Sequence, residues 1–463
     1  GGRRKQLIMQ FLGESFVLSF IAFVLALVLV QMILPVFNTL ANKALALSYL
    51  FSLRLIAGYV VIFLLTGLLA GFYPALVLSG FNPVQSLYNR TQYAGKNYLS
   101  KSLVILQFTL ATFLIISTIT IYSQFNYLMN FDLGYNDKNV VSISAFSLDK
   151  AKLSLFKTEL SKDPNILSIT AETHGLWGTE AHINGEQQFP LNLAHIDEDY
   201  MPLFQVPTVK GRNFSKKITS DAANSVLVNE EFVKEAGWKN PIGQTVDFFH
   251  DKKKYNVVGV VKNAYFQSLT EKISPILYSM KREYPFDDIF VRINDKNKPE
   301  ALNRIQQEFK EDFPYIAYQY KFKDAEVAQQ YEKEAKWKQI ITFGAVLAIF
   351  ISCIGLFGLA TLSAERRKKE IGIRKVFGAS VEEIVRTLST DFAMLVLISA
   401  VISAPAAWWA MHKWLENYPY RINISAWIFL SAAVFVLLIA LVTVSFQTIK
   451  AAIANPVNSL RNE

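Results

Sequence analysis

Six long apolar stretches limit what this chain can fold into more than any other feature of its sequence. They run from Phe16 to Phe37, Leu53 to Leu78, Leu103 to Tyr122, Ile340 to Leu362, Phe392 to Trp414 and Ala426 to Phe446. Each has the roughly 20 residues that a helix needs to cross a hydrocarbon layer of about 30 Å. A helix buried in a soluble protein would rarely stay apolar on every face for this length. The sequence therefore predicts six membrane-spanning helices.

A short charged segment, called here the basic segment (residues 364–380), lies between the fourth and fifth apolar stretches. From Glu365 to Lys375 it carries six basic and two acidic residues, a local net charge of +4. Ser380 with Glu383 three residues later has the pattern of a capping box that opens the next helix. Gly378 is placed to end a preceding helix with a left-handed residue. The pattern predicts a short amphipathic helix between two spans.

The basic residues beside the spans predict the orientation in the membrane. On one side lie Arg3, Arg4, Lys5, Arg90, Lys96, Lys101, the basic segment, Lys450 and Arg461. The short connections on the other side carry only Lys43 and Arg421. Because cytoplasmic loops are enriched in Lys and Arg, we expect both ends of the chain and the basic segment in the cytoplasm. Residues 130–336 are then expected outside it.

Residues 130–336, called here the extramembrane domain, have the alternating patterns of an α+β fold. Candidate strands are Asn139–Ser144, Ser225–Val228, Tyr255–Val261, Pro275–Tyr278 and Ile289–Ile293, and candidate helices are Leu148–Leu160 and Pro299–Phe309. We expect the third span to continue to Tyr127, and one helix to run from Ala325 to Leu362 over about 57 Å. Such helices would form a stalk beneath the domain.

The two ends of the chain resemble each other. The sequence Asn-Pro-Val-Gln-Ser-Leu at residues 82–87 matches Asn-Pro-Val-Asn-Ser-Leu at residues 455–460, and residues 1–8 can be aligned with residues 378–385. We therefore expect residues 1–90 to be the second part of a duplicated unit, whose complete copy runs from about residue 97 to residue 463. Duplicated halves are common in membrane transporters.

The order of these elements resembles that of the FtsX/MacB-type permeases of ABC transporters. The resemblance is carried by Glu365–Lys375 with Gly378-Ala379-Ser380, by Asn455-Pro456-Val457, and by Val258–Leu269 in the extramembrane domain. It implies a membrane α-helical bundle with an inserted α+β periplasmic domain on a helical stalk, in a chain truncated at its N-terminus. The implied domains are residues 1–90, the end of a first permease repeat; 91–129, a linker and stalk helix; 130–336, a MacB-like periplasmic domain; and 337–463, a second permease domain.

The same resemblance implies that the basic segment is a coupling helix for a separate ABC ATPase dimer. The residues that match this role are Glu365, Arg366, Arg367, Lys368, Glu370, Ile371, Gly372, Arg374, Lys375, Phe377 and Gly378. Ile371, Ile373, Val376 and Phe377 are the expected apolar anchors for a groove. ATP hydrolysis would then drive a periplasmic conformational change that exports or extracts a lipoprotein, peptide or antibiotic, or regulates a hydrolase. The sequence leaves open whether the protein also has a periplasmic or outer-membrane partner. The alternative is a membrane-anchored sensor whose outer domain binds a ligand.

Other functional classes find little support in the sequence. No Gly-x-x-x-x-Gly-Lys-Ser/Thr loop occurs, so this chain is expected to be a non-catalytic inner-membrane subunit without a cofactor. The five histidines and the single cysteine, Cys353, show no metal-ligand spacing, and no nucleic-acid-binding motif accompanies the net charge of +9. Asp197-Glu198-Asp199 is interpreted as a solvated loop rather than a calcium site. Trp408, Trp409 and Trp414 suit an interfacial aromatic belt, and Pro405 is expected to kink the fifth span.

Overall fold

The apolar stretches form long helices, and the segment between the third and fourth of them forms a mixed domain. The computed structural model describes residues 4–41, 43–46, 52–79, 98–185, 187–248, 253–280 and 285–453. The helices are α1 Arg4–Ala41, α2 Leu53–Ser79, α3 Tyr98–Met129, α4 Lys150–Leu160, α5 Tyr200–Phe204, α6 Thr219–Asn224, α7 Glu230–Glu235, α8 Lys298–Asp312, α9 Lys323–Gln330, α10 Glu332–Arg366, α11 Lys368–Val376, α12 Val381–Leu415 and α13 Ala426–Ile453. The segments 1–3, 82–87 and 455–460, on which the predicted repeat depends, lie outside the described residues.

Two compact units make up the chain. One comprises residues 1–121, 335–411 and 424–463, and the other comprises residues 122–334 and 412–423. Among the residues that the structure describes, six helices are long and apolar enough to cross a membrane: α1, α2, α3, α10, α12 and α13. The prediction of six spans is confirmed.

Small residues let α1 and α2 of the first unit pack closely. A Cβ atom built on Gly67 would lie 2.5 Å from the ring of Phe16, and one on Gly71 would lie 2.9 Å from Leu12 and Ser15. Close approach at small residues is the usual basis of helix association in a membrane, because lipid is as apolar as the side chains themselves. The other four spans of this unit share a separate core that includes Phe108, Leu356, Phe392 and Val436.

The predicted single helix from Ala325 to Leu362 is wrong. α9 ends at Gln330, Tyr331 leaves the helical conformation with φ −101° and ψ 16°, and α10 begins at Glu332. The Tyr331 side chain is 1% exposed, and its hydroxyl accepts a hydrogen bond of 3.0 Å from the backbone N–H of Leu269. Burial of this side chain within its own unit therefore outweighs the helical preference of the neighbouring residues.

The extramembrane domain is built on one ten-stranded sheet. Its strands are β1 Val140–Leu148, β2 Ile166–Ile183, β3 Gln187–Ile196, β4 Thr208–Gly211, β5 Ser225–Asn229, β6 Thr245–Phe248, β7 Lys254–Val261, β8 Ile276–Ser279, β9 Phe286–Ile293 and β10 Tyr320–Phe322. The order is β10-β1-β9-β2-β3-β8-β5-β7-β4, and β6 pairs with β2 and β7. The pairs β3–β8 and β5–β7 are parallel, while the other pairs are antiparallel. The five strands expected from the sequence are present.

Helices cover this sheet because their apolar faces match its inward-facing residues. α4 and α8 bury Phe156, Ile305 and Phe309 against Ile143 and Val291 of the β1 and β9 strands. Ring centroids of Phe156 and Phe309 are 6.0 Å apart in an edge-to-face arrangement. A second core, next to α7, lies between β3, β5 and β7. The domain thus has its own interior.

The acidic triplet after β3 is not the solvated loop expected from the sequence. Asp197 is buried, and its carboxylate lies 2.7 Å from the Lys157 ammonium and accepts a 2.9 Å hydrogen bond from the Ala171 N–H. The Thr170 hydroxyl also donates to it. Asp199 lies 3.1 Å from Lys157 as well. Lys157 from α4 and Lys216 therefore pair with the carboxylates of this loop.

Candidate functional site

The basic segment forms α11, a nine-residue helix between two spans, and its C-terminal end is defined by backbone geometry. At its C-terminal end Gly378 has φ +90°, its N–H donates to Lys375 O at 3.0 Å, and the Ala379 N–H donates to Arg374 O at 2.9 Å. These two bonds form a Schellman motif. The expected capping box of α12 is also present: the Glu383 N–H donates to the Ser380 hydroxyl at 3.1 Å. The chain is therefore held at a fixed angle between α11 and α12.

Ile371 attaches α11 to the rest of its unit. Its side chain is 7% exposed and packs with Ile384 and Leu388 of α12. Gly372 beside it is buried as well. Ile371 was expected among the anchors for a partner, and its side chain is buried within its own chain; its role in coupling stays a prediction. The face that holds α11 in place is therefore distinct from the face it presents.

The apolar residues at the end of α11 are left uncovered by the part of the chain that the structure describes. Ile373, Val376 and Phe377 are 49%, 67% and 87% exposed. Exposing a phenylalanine ring to this degree leaves most of its apolar area in contact with solvent, and burying such a side chain is worth about 1.5–3 kcal/mol. These three residues, called here the apolar tip, are the part of the segment with the most to gain from a partner.

The charged residues of the segment divide into internal pairs and residues facing outward. Glu370 and Arg374 form a 2.7 Å ion pair one turn apart, and Arg367 lies 2.8 Å from Asp391 of α12. Glu365 is exposed. Lys375 is half-buried and has a further interaction partner. The side chains of Arg366, Lys368 and Lys369 lie outside those that the structure describes.

A second group of interactions, which the sequence did not reveal, lies in the unit that contains the extramembrane domain. The turn between α12 and α13 is bound by the end of α3. The Gln124 side chain donates to Tyr420 O at 2.8 Å and accepts from the Ile422 N–H at 3.0 Å. The Tyr420 hydroxyl accepts a 3.2 Å hydrogen bond from the Ile273 N–H of the domain. One side-chain amide thus satisfies two backbone groups of the turn.

Aromatic rings reinforce this arrangement. Phe131, Tyr265 and Tyr420 pack with one another at centroid distances of 5.2–5.3 Å, and Trp414 packs on Tyr418 at 5.0 Å. We call these five residues the aromatic cluster. Trp414 was expected in an interfacial belt, whereas here it contributes to this packing. The occurrence of three aromatic residues between Trp414 and Tyr420 was the available signal.

Two family models account for most of the chain. The model described as FtsX-like permease C-terminal matches residues 1–83 and residues 342–456, and the model described as MacB-like periplasmic core domain matches residues 102–308. The chain belongs to the FtsX/MacB-type permeases. This family consists of transmembrane subunits of ABC transporters and implies an ATPase partner, and the six apolar helices make this permease a multi-pass membrane protein.

Curated relatives support the same family. The macrolide export ATP-binding/permease protein MacB of Aggregatibacter actinomycetemcomitans is 25% identical over 287 residues, which cover 58% of this permease and 42% of that protein. The uncharacterized ABC transporter permease YvrN of Bacillus subtilis is 23% identical over 287 residues, which cover 58% of this permease and 69% of YvrN. The permease therefore spans less than half the length of the MacB relative.

Solved structures give a partial likeness. The periplasmic region of MacB from Actinobacillus actinomycetemcomitans is 21% identical and has a TM-score of 0.34, covering 42% of this permease and 94% of that region.

Among the residues the structure describes, no group of three or more His, Cys, Asp or Glu side chains could hold a metal ion. His195 lies inside the extramembrane domain, where Nδ1 is 2.6 Å from the Ser279 hydroxyl.

Proposed function

We propose that this permease transmits movement between a separate ABC ATPase, bound at α11, and the extramembrane domain. The observation that carries the proposal is the apolar tip on a helix whose opposite face is anchored by Ile371. An amphipathic helix that presents spaced apolar anchors fits a hydrophobic groove on a partner. The boundaries predicted for the four domains remain predictions.

The anchored geometry of α11 suits the transmission of force. A groove that grips Phe377 moves a helix that is fixed to α12 by Ile371, by the Arg367–Asp391 ion pair and by the Schellman motif. Because these contacts join α11 to a span, displacement of the helix is passed to that span rather than absorbed by a loose loop. On the other unit, Gln124 and Tyr420 join the turn after α12 to α3 and to the domain.

Association with the ATPase tests the proposal. We expect Phe377→Ser with Val376→Ser to reduce copurification of the ATPase from native membranes by at least ten-fold, and to lower ATPase stimulation equally. Val209→Ser, which changes a 49% exposed apolar residue of the extramembrane domain, is the matched control. Undiminished association of the double variant would sink the assignment of α11 as the coupling helix. Gly372 and Arg374 substitutions provide a second series.

We also propose that α11 and both ends of the chain lie in the cytoplasm and the extramembrane domain in the periplasm. Cys353 is the only cysteine in the sequence, so a Cys353→Ala background allows labelling at single sites. A membrane-impermeant maleimide added to intact spheroplasts should label Leu155→Cys and leave Phe377→Cys unlabelled until the membrane is lysed. The reverse pattern would overturn the orientation.

The cargo is proposed at the level of chemical class: a lipoprotein, a peptide or an antibiotic, with regulation of a hydrolase as a further outcome of the same movement. The name of the MacB relatives refers to macrolide export. Sensitivity of a deletion strain to macrolides, compared with release of lipoproteins from its inner membrane, separates these cargoes. If the ATPase associates with the permease but neither macrolide sensitivity nor lipoprotein release changes in the deletion strain, regulation of a hydrolase is favoured.

A further inference from the structure

A cavity of about 250 Å³ lies within the extramembrane domain, apart from α11 and outside the aromatic cluster. It is lined by Glu172, Gly175, Leu176, Ala194, Tyr200, Phe266, Gln267, Tyr278 and Lys323. Drug-sized ligands usually occupy pockets of about 300–1,000 Å³, so this space suits a smaller molecule. All of its lining residues belong to one unit.

A bulge in β2 creates this space. Thr173 pairs with His195 and Trp177 pairs with Leu193, so three residues of β2 face a single residue, Ala194, of β3. Gly175 within the bulge has φ +65°, a conformation that favours glycine. β-Bulges redirect side chains and recur beside functional sites. Here the bulge moves Leu176 away from the strand pairing and opens the sheet at the cavity.

The buried wall of the cavity carries a carboxyl group whose charged neighbours are mostly acidic. Glu172 is 8% exposed and accepts a hydrogen bond from the Tyr200 hydroxyl. The charged neighbours that act on it are Lys323, Asp288 and Glu326, which together with Glu172 give three carboxyl groups and one amine. Lys323 is itself paired with Glu326 at 3.1 Å. The site therefore has more negative than positive groups.

Aromatic residues complete the wall. The Tyr278 side chain is 1% exposed, and its hydroxyl has no hydrogen-bond partner among the described residues. A buried hydroxyl without a partner is unfavourable, so such groups are usually satisfied by a bound water, an ion or a ligand. The Phe266 and Tyr200 rings lie 5.6 Å apart beside it. Aromatic faces attract cations, and they do so more strongly when water is excluded.

We propose that this cavity binds a small organic cation, an ammonium group attached to a short apolar or aromatic body. Glu172 pairs with the ammonium, the Tyr278 hydroxyl accepts one of its protons, and Leu176 and Phe266 contact the apolar part. The inference does not depend on the proposed coupling to an ATPase, because every residue it uses lies in the extramembrane domain.

The position of the cavity gives binding a route to the aromatic cluster. Phe266 stacks on Tyr135 with a centroid distance of 4.4 Å, and its neighbour Tyr265 packs on Phe131 and Tyr420. Phe266, Tyr265 and Ile273 belong to one loop, and Tyr265 and Ile273 both contact Tyr420. A ligand that contacts Phe266 would therefore restrict this loop. We expect bound cation to slow hydrogen exchange in residues 262–274.

Calorimetry with a defined probe tests the proposal. Phenethylammonium is titrated at pH 8 into the full chain in phosphatidylcholine nanodiscs, and 2-phenylethanol serves as its uncharged counterpart. We expect saturable binding of the amine, at least ten-fold weaker binding of the alcohol, and at least ten-fold weaker amine binding by Glu172→Gln. Tyr278→Phe should weaken amine binding about three- to ten-fold, the effect of one hydrogen bond.

The matched control is Glu231→Gln, which changes a carboxyl that is 5% exposed and lies outside the cavity. The Glu231→Gln variant should bind the amine as tightly as the unaltered chain, because Glu231 does not line the cavity. Partitioning of the amine into lipid is the same for all variants and so does not affect the comparison. No saturable binding of the amine to the unaltered chain would overturn the proposal. Equal affinities for amine and alcohol, or for Glu172→Gln and the unaltered chain, would overturn the proposed cation site.

Discussion

Glu172 allows a stability prediction with a defined sign and size. Burial raises the pKa of this carboxyl from its ordinary value of 4.5 to about 7, against the lowering effects of Lys323 and the Tyr200 hydrogen bond, while Asp288 and Glu326 raise it further. Between these two pH values the folded state retains a proton that the unfolded state has released. Stability must therefore fall as the pH rises from about 4.5 to about 7.

The magnitude follows from the pKa difference. Each pKa unit corresponds to about 1.4 kcal/mol, so ionising buried Glu172 costs about 3 kcal/mol at pH 8. At pH 5 the unfolded carboxyl is already about three-quarters ionised, but this pH lies only half a unit above its ordinary pKa, so the cost is below about 1 kcal/mol. Glu172→Gln removes the charge while keeping the shape and an acceptor for the Tyr200 hydroxyl. The variant should gain about 2–3 kcal/mol more at pH 8 than at pH 5.

Hydrogen–deuterium exchange of the full chain measures this difference. Peptides from β2 and β9 report opening of the domain, and comparing variants at the same pH cancels the pH dependence of intrinsic exchange. The reasoning is refuted if Glu172→Gln changes protection equally at pH 5 and pH 8, or if it lowers protection at pH 8. A gain in stability with a loss of amine binding would identify Glu172 as a group retained for function.

Three further substitutions probe other parts of the structure. Asp197→Ala leaves the half-buried Lys157 with Asp199 alone and should destabilise the domain by about 3 kcal/mol, seen as faster exchange in β2; unchanged exchange would mean that the ion pair contributes no stability. Gln124→Leu removes two hydrogen bonds and should cost the 412–423 turn about 1–3 kcal/mol of local protection, so equal protection would contradict its role. Gly378→Ala places a side chain at φ +90° and should cost about 1 kcal/mol, making the α11 end more sensitive to trypsin; equal cleavage rates would argue against the Schellman motif.

The membrane part of the fold was predictable because its signals are local. Uniform apolarity over about 20 residues identifies a span without knowledge of its neighbours. The capping box of Ser380 and Glu383 and the left-handed Gly378 were also readable, since each motif involves residues within one or two turns. Strands with strong β-branched content, such as Ser225–Asn229, were recognisable for the same reason.

Features that depend on distant partners were not predictable. Ile371 has the composition of an interface anchor, and only the approach of Ile384 and Leu388 shows that its face is already occupied. Asp197 appeared to be part of a solvated acidic run until α4 placed Lys157 against it. The cavity at Glu172 results from a register shift between β2 and β3, which no periodicity in β2 alone can reveal. In each case the missing information is a contact between segments far apart in sequence.

The break at Tyr331 has a mechanical consequence. A continuous helix passes rotation about its own axis as faithfully as it passes thrust, whereas α9 and α10 are separate rods joined by a single non-helical residue. Torque applied to α10 would be lost at this joint. Lengthwise displacement would instead pull on Tyr331, whose hydroxyl is bonded to the backbone of Leu269. The joint would therefore pass lengthwise movement of α10, and not its rotation, to one loop, the loop that also carries Phe266 and forms a wall of the cavity.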